Sequence, residues 1–256
     1  MNADVARLPG SEPFAADGGP VGVLLSHGFT GSPASIVPWG RALAERGHTV
    51  RVPLLAGHGT RWQDLNATRW TDWYDGLERE LVELRDRCDH VVVGGLSMGG
   101  ALALRLAADH PETVDAVVVV NPALASGDPR LRLLPVLKHL VPSLPAIGND
   151  IAKPGQNEHA YPRTPLKALH SGTQLWRETT ELLGDVTAPL LFLRSPQDHV
   201  VDGLTIDLVR ERIGSPVAEF VELPRSYHVA TLDHDADLIV ERSAVFIATH
   251  AGGQDG

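Results

Sequence analysis

The segment Gly95-Leu96-Ser97-Met98-Gly99 decides the fold of this 256-residue chain. An apolar strand pattern over residues 90–95 leads straight into it, and a helical pattern over 98–109 follows at once. A serine on a tight turn from a strand into a helix needs very small residues two positions away on each side, and the two glycines meet that requirement. We therefore predict that Ser97 is a nucleophile held on a strand–turn–helix. The alternative is a glycine-rich turn that only packs closely.

Strand and helix patterns alternate on both sides of this turn. Apolar runs predict strands over residues 21–26, 48–53, 90–95, 114–120, 189–194 and 217–223, with a short antiparallel strand over 14–17. Apolar residues at helical spacing predict helices over residues 35–46, 70–88, 98–109 and 235–249. Continuous apolar strands separated by helices are typical of a parallel sheet that is covered on both faces. We predict an α/β fold of this kind.

The segment between residues 122 and 185 breaks the alternation. It has helical patches over 130–140 and 165–183 but no obvious strand, and eight of the 19 prolines lie between Pro122 and Pro165. We predict that residues 122–185 form a helical cap over the carboxyl edge of the sheet, inserted into a core of residues 1–121 and 186–256. A long crossover without a further role is the alternative.

Composition excludes several classes of function. With 22 basic and 32 acidic residues the formal net charge is −10, so we expect no binding to nucleic acid or to an anionic membrane. The single Cys88 excludes an internal disulfide and a cysteine zinc site. The sequence has neither an H-E-x-x-H motif nor a phosphate-binding glycine loop, so we expect no metal and no nucleotide.

No apolar run is long enough for stable membrane insertion, and residues 1–19 lack the pattern of a secretory signal, so we expect a soluble, cytoplasmic protein.

A serine nucleophile needs a base, and the base needs an orienting group. On a fold of this kind the acid and then the histidine follow the serine along the chain, after later strands. Asp198 follows the strand over 189–194, and His228 follows the strand over 217–223. We predict that these two residues complete a catalytic triad, with Asp202 as the alternative acid and His199 as a less favoured base.

Ester or amide chemistry also needs hydrogen-bond donors for the oxyanion. The backbone N–H of Met98 follows the nucleophile at a helix N-terminus, and the N–H of Phe29 lies in the loop after the strand over 21–26. We predict that these two groups form the oxyanion hole. His27 in the same loop is predicted to brace it rather than to react.

Five motifs occur in the order found in one family of enzymes. They are His27-Gly28-Phe29-Thr30-Gly31, Gly57-His58-Gly59, Gly95-Leu96-Ser97-Met98-Gly99-Gly100, Asp198-His199-Val200-Val201 and Ser226-Tyr227-His228-Val229-Ala230-Thr231-Leu232-Asp233. Together they resemble those of bacterial monoacylglycerol lipases and related small carboxylesterases, from about residue 20 to 252. The resemblance implies an α/β-hydrolase fold with a helical cap, and it implies the same nucleophile, acid, base and oxyanion donors as above.

The resemblance extends to the cap. The segment from Leu144 to Ile151 is similar to the family's cap sequence. By this resemblance Ile147 lines the acyl tunnel and Glu158 the glycerol-binding end, although Glu158 could equally be a solvated helix residue. A carboxylate there can accept hydrogen bonds from two glycerol hydroxyls, which a simple alkyl ester does not offer.

We therefore expect an enzyme that hydrolyses carboxylic esters through an acyl-enzyme, without a cofactor, with a monoacylglycerol or similar small-molecule ester as substrate. A general carboxylesterase, a thioesterase, a carbon–carbon bond hydrolase or an acyltransferase can use the same triad. Dehalogenases and epoxide hydrolases of this fold carry aspartate in place of Ser97, which argues against them. A non-catalytic binding protein of the same fold is the alternative from another class, and the sequence leaves open a monomer or a homodimer.

Overall fold

The computed structural model describes residues 7–252, and within them seven strands form a central sheet. The strands are β1 (Phe14–Ala16), β2 (Val21–Ser26), β3 (Thr49–Val52), β4 (His90–Leu96), β5 (Ala116–Val120), β8 (Leu190–Arg194) and β9 (Ala218–Glu222). Their order is β1-β3-β2-β4-β5-β8-β9, and only the edge strand β1 is antiparallel to its neighbour. The predicted, mainly parallel sheet with an antiparallel first strand is confirmed.

Eight α-helices lie within the described part of the chain. They are α1 (Val37–Ala44), α2 (Trp62–Asn66), α3 (Trp70–Arg85), α4 (Met98–Asp109), α5 (Leu134–Leu140), α6 (Leu166–Glu181), α7 (Leu204–Arg212) and α8 (Ala236–His250). The sequence patterns did not predict α2 or α7. The first is shorter than two turns, too short to establish a helical period, and the second has only a weakly segregated apolar face.

Each central strand buries both of its faces. Val91 and Val93 of β4 belong to one core cluster with α3 and α4, whereas Val92 belongs to a second cluster with α1 and α8. Successive side chains of a strand point to opposite faces, so one continuous apolar run supplies both cores. The predicted covering of the sheet by helices on both faces is confirmed.

The parallel strands bring distant parts of the chain to one edge of the sheet. The carboxyl ends of β2, β4, β5, β8 and β9 meet there. Loops leaving these ends carry, in chain order, Phe29, Ser97, Asn121, Asp198 and His228. In open sheets of this class ligands bind outside the carboxyl ends of the strands. The topology therefore places the predicted site residues at the edge where ligands bind.

The chain between β5 and β8 contains a 3-10 helix (Pro129–Leu133), α5 and α6, and also two short strands that the sequence did not predict. β6 (Ser143–Pro145) and β7 (Arg163–Pro165) pair antiparallel in a separate ribbon. Three residues are too few to show the alternation of a strand. α6 packs against α3 and α4 and buries Leu175 in the core cluster that they share. The division at residues 122 and 185 stays a prediction.

Two predictions concern the ends of the chain. The predicted absence of a secretory signal in residues 1–19 includes residues 1–6, and the predicted outer limits of the core are residues 1 and 256; residues 1–6 and 253–256 lie outside the described residues. Between residues 7 and 252, no helix has the length and apolar character required to cross a membrane.

Candidate active site

Ser97 lies on the turn between β4 and α4 in a conformation that few residues adopt. Its φ is 57° and its ψ is −119°. Positive φ at a residue other than glycine costs of order 1–3 kcal/mol and persists only where the surroundings enforce it. The N–H of Ser97 donates to the carbonyl oxygen of Val120 at 3.0 Å, which fastens the turn to β5. A strained serine between a strand and a helix is the arrangement that exposes a nucleophile.

The glycines on either side of Ser97 are required by close backbone contacts. A Cβ on Gly95 would overlap the backbone of Gly99, and a Cβ on Gly99 would overlap the carbonyl oxygen of Ser26. No larger residue fits at either position without moving backbone. The strand, the turn and the helix thus pack as the sequence motif predicts.

The structure brings Asp198 and His228 together at the same edge. Asp198 Oδ2 lies 2.7 Å from His228 Nδ1, and the side chains are only 3% and 9% exposed. The other carboxylate oxygen, Oδ1, accepts the backbone N–H groups of Val200 and Val201 at 2.7 and 2.8 Å, which fixes the carboxylate in its loop. An Nδ1–H that donates to a carboxylate leaves Nε2 free to accept a proton. Ser97 and His228 line one cavity.

The two alternative residues have other partners. Asp202 accepts the backbone N–H groups of Gly127 and Leu204 at 2.7 and 3.0 Å, which places it at the start of α7. His199 Nδ1 donates to Asp150 Oδ1 at 2.8 Å. The structure therefore places neither Asp202 in contact with His228 nor His199 in the position of the base.

The two predicted oxyanion donors flank the nucleophile. Phe29 and Met98 line the same cavity as Ser97, and within residues 7–252 their N–H groups have no hydrogen-bond acceptor. A Cβ on Gly28 would come within 3.3 Å of the Ser97 Cβ, so the missing side chain keeps this loop close to the nucleophile. Two unpaired N–H groups beside a serine can stabilise a developing oxyanion.

A cavity of about 410 Å³ extends from the sheet edge to the segment that follows β5. Much of its apolar wall comes from leucines of that segment, namely Leu131, Leu134, Leu137, Leu144, Leu166 and Leu169. The predicted tunnel residue Ile147 also lines the cavity, but it is 69% exposed and so lies on the solvent side rather than deep inside. This volume is in the range that holds a small organic ligand.

Glu158 lines the cavity as a partly buried carboxylate rather than as a solvated helix residue. Its Oε1 accepts the N–H of Asn149 at 2.5 Å, and its own N–H donates to Asn149 Oδ1 at 3.1 Å. Burial raises the pKa of the Glu158 carboxyl, and the Asn149 N–H and His228 partly offset this rise. The polar end of the cavity is therefore a hydrogen-bond acceptor held by its own loop.

Sequence reasoning missed Asn121, which connects the loop of Asp198 with the loop of His228. It follows β5 directly, with φ 43°, and is 2% exposed. Its side chain accepts the N–H of Ser195 at 2.7 Å and donates to the carbonyl oxygen of His228 at 2.8 Å. A polar residue directly after an apolar strand was the signal that could have identified it.

His27 braces the loop of Phe29 by two hydrogen bonds, as its sequence context predicts. Its Nε2 accepts the N–H of Leu55 at 3.2 Å, so Nδ1 carries the proton and donates to the carbonyl oxygen of Gly28 at 3.0 Å. The ring of His58 packs edge-on against it, with 4.9 Å between ring centroids. Burial lowers the pKa of His27 to about 4 and also lowers the pKa of His58 well below its usual value.

These two pKa shifts predict a loss of stability in acid. Both histidines are neutral when folded and take up protons near pH 6.5 when unfolded, so their contribution is full above about pH 6.5 and declines as the pH falls. Each lowers the free energy of unfolding by up to about 1.4 kcal/mol per pH unit in that range. We expect His58→Gln to remove one histidine's share of this slope in urea unfolding between about pH 7 and pH 5. An unchanged slope, or the same change in the exposed His139→Gln control, would contradict the assignment.

Comparison with protein families identifies the chain. The family model described as serine aminopeptidase, S33, matches residues 21–235. The chain belongs to this S33 family. The match includes β2, the turn of Ser97, the segment after β5, and the loops of Asp198 and His228. Family and geometry together make this protein a serine hydrolase of the α/β-hydrolase fold.

The names of individual relatives of this S33 protein indicate ester hydrolysis. The chain is 42% identical over 257 aligned residues to a thermostable monoacylglycerol lipase of Bacillus sp. (strain H-257), covering 98% of this chain and 100% of the relative. It is 24% identical to a carboxylesterase of Bacillus subtilis (strain 168), covering 89% and 92%. A solved structure reported for LipS and LipT, two metagenome-derived lipolytic enzymes, matches with a TM-score of 0.93 at 40% identity, covering 96% of this chain and 100% of that one.

Among residues 7–252, no group of three or more histidine, cysteine, aspartate or glutamate side chains is placed to hold a metal ion.

Proposed function

We propose that this serine hydrolase is a monoacylglycerol lipase that releases glycerol and a free fatty acid. The observation that carries the proposal is a cavity with Ser97 and His228 at the sheet edge, leucines along its wall and the carboxylate of Glu158 at a polar end. The identity of 42% over nearly the whole chain to a monoacylglycerol lipase supports the same substrate class. A general carboxylesterase is the second candidate, supported by the Bacillus subtilis relative.

The first half of the proposed reaction acylates Ser97. His228 Nε2 takes the hydroxyl proton while Oγ attacks the ester carbonyl carbon, and the N–H groups of Phe29 and Met98 donate to the oxyanion that forms. When the tetrahedral intermediate collapses, the bond to glycerol breaks and His228 gives its proton to the leaving oxygen. Asp198, 2.7 Å from Nδ1, keeps the imidazole in the required tautomer and stabilises its charged form.

The second half releases the acid. A water molecule enters where glycerol left, and His228 takes one of its protons as the oxygen attacks the acyl carbon. Collapse of the second intermediate breaks the bond to Ser97 Oγ and returns a proton to it. The sum is one ester and one water consumed, and one acid and one alcohol formed.

The cavity supports a substrate with one acyl chain and a small polar head. Burial of the acyl chain against the leucine wall stabilises the bound substrate by about 0.8 kcal/mol for each CH₂. Glu158 offers an acceptor to glycerol hydroxyls, whereas a diacylglycerol or triacylglycerol must place a second chain near that carboxylate.

The deciding experiment compares monoacylglycerol, diacylglycerol, triacylglycerol and simple alkyl esters of one acyl length. We expect the highest kcat/KM with the monoacylglycerol. A clear preference for triacylglycerol would remove the monoacylglycerol assignment, and equal kcat/KM values for the monoacylglycerol and the alkyl ester would favour the carboxylesterase.

Glu158→Gln tests the polar end of the cavity. The amide keeps one oxygen for the Asn149 N–H but replaces the second acceptor by a donor. Hydrogen bonds to a charged group are worth about 1.5–3 kcal/mol, so kcat/KM for monoacylglycerol should fall by about 10- to 100-fold. The value for the alkyl ester should change by less than about threefold, since that substrate lacks the hydroxyls. Glu222→Gln, on the exposed end of β9, is the control, and an unchanged monoacylglycerol preference would exclude Glu158 from glycerol binding.

Three further expectations are part of the proposal. Residues 122–185 act as the cap, the protein is a monomer or a homodimer, and it works in the cytoplasm. Each stays a prediction, and the reaction above depends on none of them.

A further inference from the structure

Asp150 lies in the covering segment (residues 122–185, between β5 and β8), yet its side chain binds the loops of Asp198 and His228. Its Oδ2 accepts the backbone N–H of His228 at 3.1 Å and that of His199, next to Asp198, at 3.2 Å. Its Oδ1 accepts the Nδ1–H of the same His199 at 2.8 Å. The carboxylate is 13% exposed and lies at the wall of the cavity. One carboxylate thus joins two loops that follow different strands.

The backbone around Asp150 strengthens this connection. Its carbonyl oxygen accepts the N–H of Val229 at 3.1 Å, so Asp150 binds the peptide groups on both sides of His228. In return Asp233, which is 1% exposed, accepts the N–H groups of Ala152 and Lys153 from the covering segment at 2.7 and 2.9 Å. Asp233 also accepts the N–H of Tyr227 at 2.9 Å. One partly buried carboxylate, Asp150, and one buried carboxylate, Asp233, therefore fasten the same short segment to the loop of His228.

We propose that Asp150 is a positioning residue. Its carboxylate fixes the position of His228 by binding the backbone N–H of His228, so the position of the imidazole depends on where the covering segment lies. The His228 peptide is held from two sides, by Asp150 at its N–H and by Asn121 at its carbonyl oxygen. Asn121 belongs to the core, so Asp150 is the contact that is lost when the covering segment shifts. This inference rests on the proposed function, because it assigns a role toward the proposed base.

Alanine in place of Asp150 leaves all three of these donors without their acceptor. An amide is a weaker test, because its oxygen can still accept the N–H groups of His228 and His199 while the His199 ring changes tautomer and accepts from the amide N–H₂. A misplacement of about 1 Å in a catalytic group is enough to cost about 100-fold in rate. We therefore expect Asp150→Ala to lower kcat by about 10- to 100-fold while the overall fold persists.

The experiment uses the full-length protein and p-nitrophenyl acetate, a small ester without glycerol that leaves Glu158 without a role. Measured are kcat, KM, the rate of labelling by a fluorophosphonate, and Tm. In Asp150→Ala we expect kcat and the labelling rate to fall together, with KM changed by less than about threefold. A merely structural role would lower Tm and the active fraction but leave the labelling rate of the folded protein unchanged.

Asp115→Ala is the matched control, because Asp115 also binds a backbone N–H and a histidine Nδ1, at 2.7 Å to Val91 and 3.2 Å to His90. It lies at the opposite edge of the sheet, so we expect its kcat to stay within about twofold of the parent. If Asp150→Ala does not fold, Asp150→Ser is judged by the same limits.

Parent-like kcat in the Asp150 variants, or an equal loss in Asp115→Ala, would overturn the positioning role while leaving the proposed function intact. Failure of the parent protein itself to label would instead remove the proposed function, and the positioning role with it.

Discussion

Replacement of Ser97 by alanine is expected to lower kcat by about 10⁴- to 10⁶-fold, because the reaction loses the atom that forms the acyl-enzyme. The residual rate comes from the cavity and from the oxyanion donors, which the substitution leaves in place. The Cβ that alanine needs is already present at this position, and Ser97 Oγ makes no hydrogen bond among residues 7–252 that the fold would lose. We therefore expect Tm to change little.

Labelling with a fluorophosphonate checks the same prediction by a direct route. The reagent forms a bond to an activated serine, so the parent protein should label and Ser97→Ala should not. Ser215→Ala, in the half-buried loop before β9 and outside the cavity, is the control and should label like the parent. Labelling of Ser97→Ala at the parent rate would show that another residue reacts and would remove the assignment of the nucleophile.

The central part of the fold follows directly from local sequence. β2 and α4 begin and end at the residues that the patterns predict, since the first is an uninterrupted apolar run and the second starts at the nucleophile turn. β9 is shorter than its predicted range by one residue at each end. Strands that are buried on both sides carry a strong signal, because every position must be apolar.

Short or weakly patterned elements gave no such signal. The ribbon of β6 and β7 has three residues in each strand, and its pairing joins Ser143 to Pro165 across the loop that holds Glu158. The predicted helix over 35–46 begins instead as a 3-10 turn, Pro33–Ser35, and continues as α1 from Val37. Propensity alone does not determine where such turns begin.

The same distinction applies to the site. The meeting of Asp198 and His228 at one edge of the sheet could be predicted, because each follows a strand that ends at that edge and the fold fixes their order along the chain. The residues that hold them could not, since their partners are remote in the chain. Asn121 bonds His228 across 107 positions, and Asp150 bonds it across 78. Contacts of that span depend on how the covering segment and the loops meet in three dimensions.

Asp198→Asn is expected to lower kcat by about 10⁴-fold. The amide oxygen can still accept the N–H groups of Val200 and Val201, so the loop should keep its shape. Its N–H₂ then faces His228 Nδ1 and donates to it, which moves the ring proton to Nε2. A protonated Nε2 cannot take the proton of Ser97, and the charged imidazolium loses its stabilising partner.

Asp202→Asn separates this expectation from the alternative acid, because both residues lie in the loop that follows β8. Asp202 accepts the N–H groups of Gly127 and Leu204 rather than a histidine, so its loss should change kcat by less than about threefold. The two variants are compared by kcat with one ester and by Tm. A large loss in Asp202→Asn together with near-parent activity in Asp198→Asn would transfer the acid role to Asp202, and it would mean that the 2.7 Å pair of Asp198 and His228 is not the pair that works in catalysis.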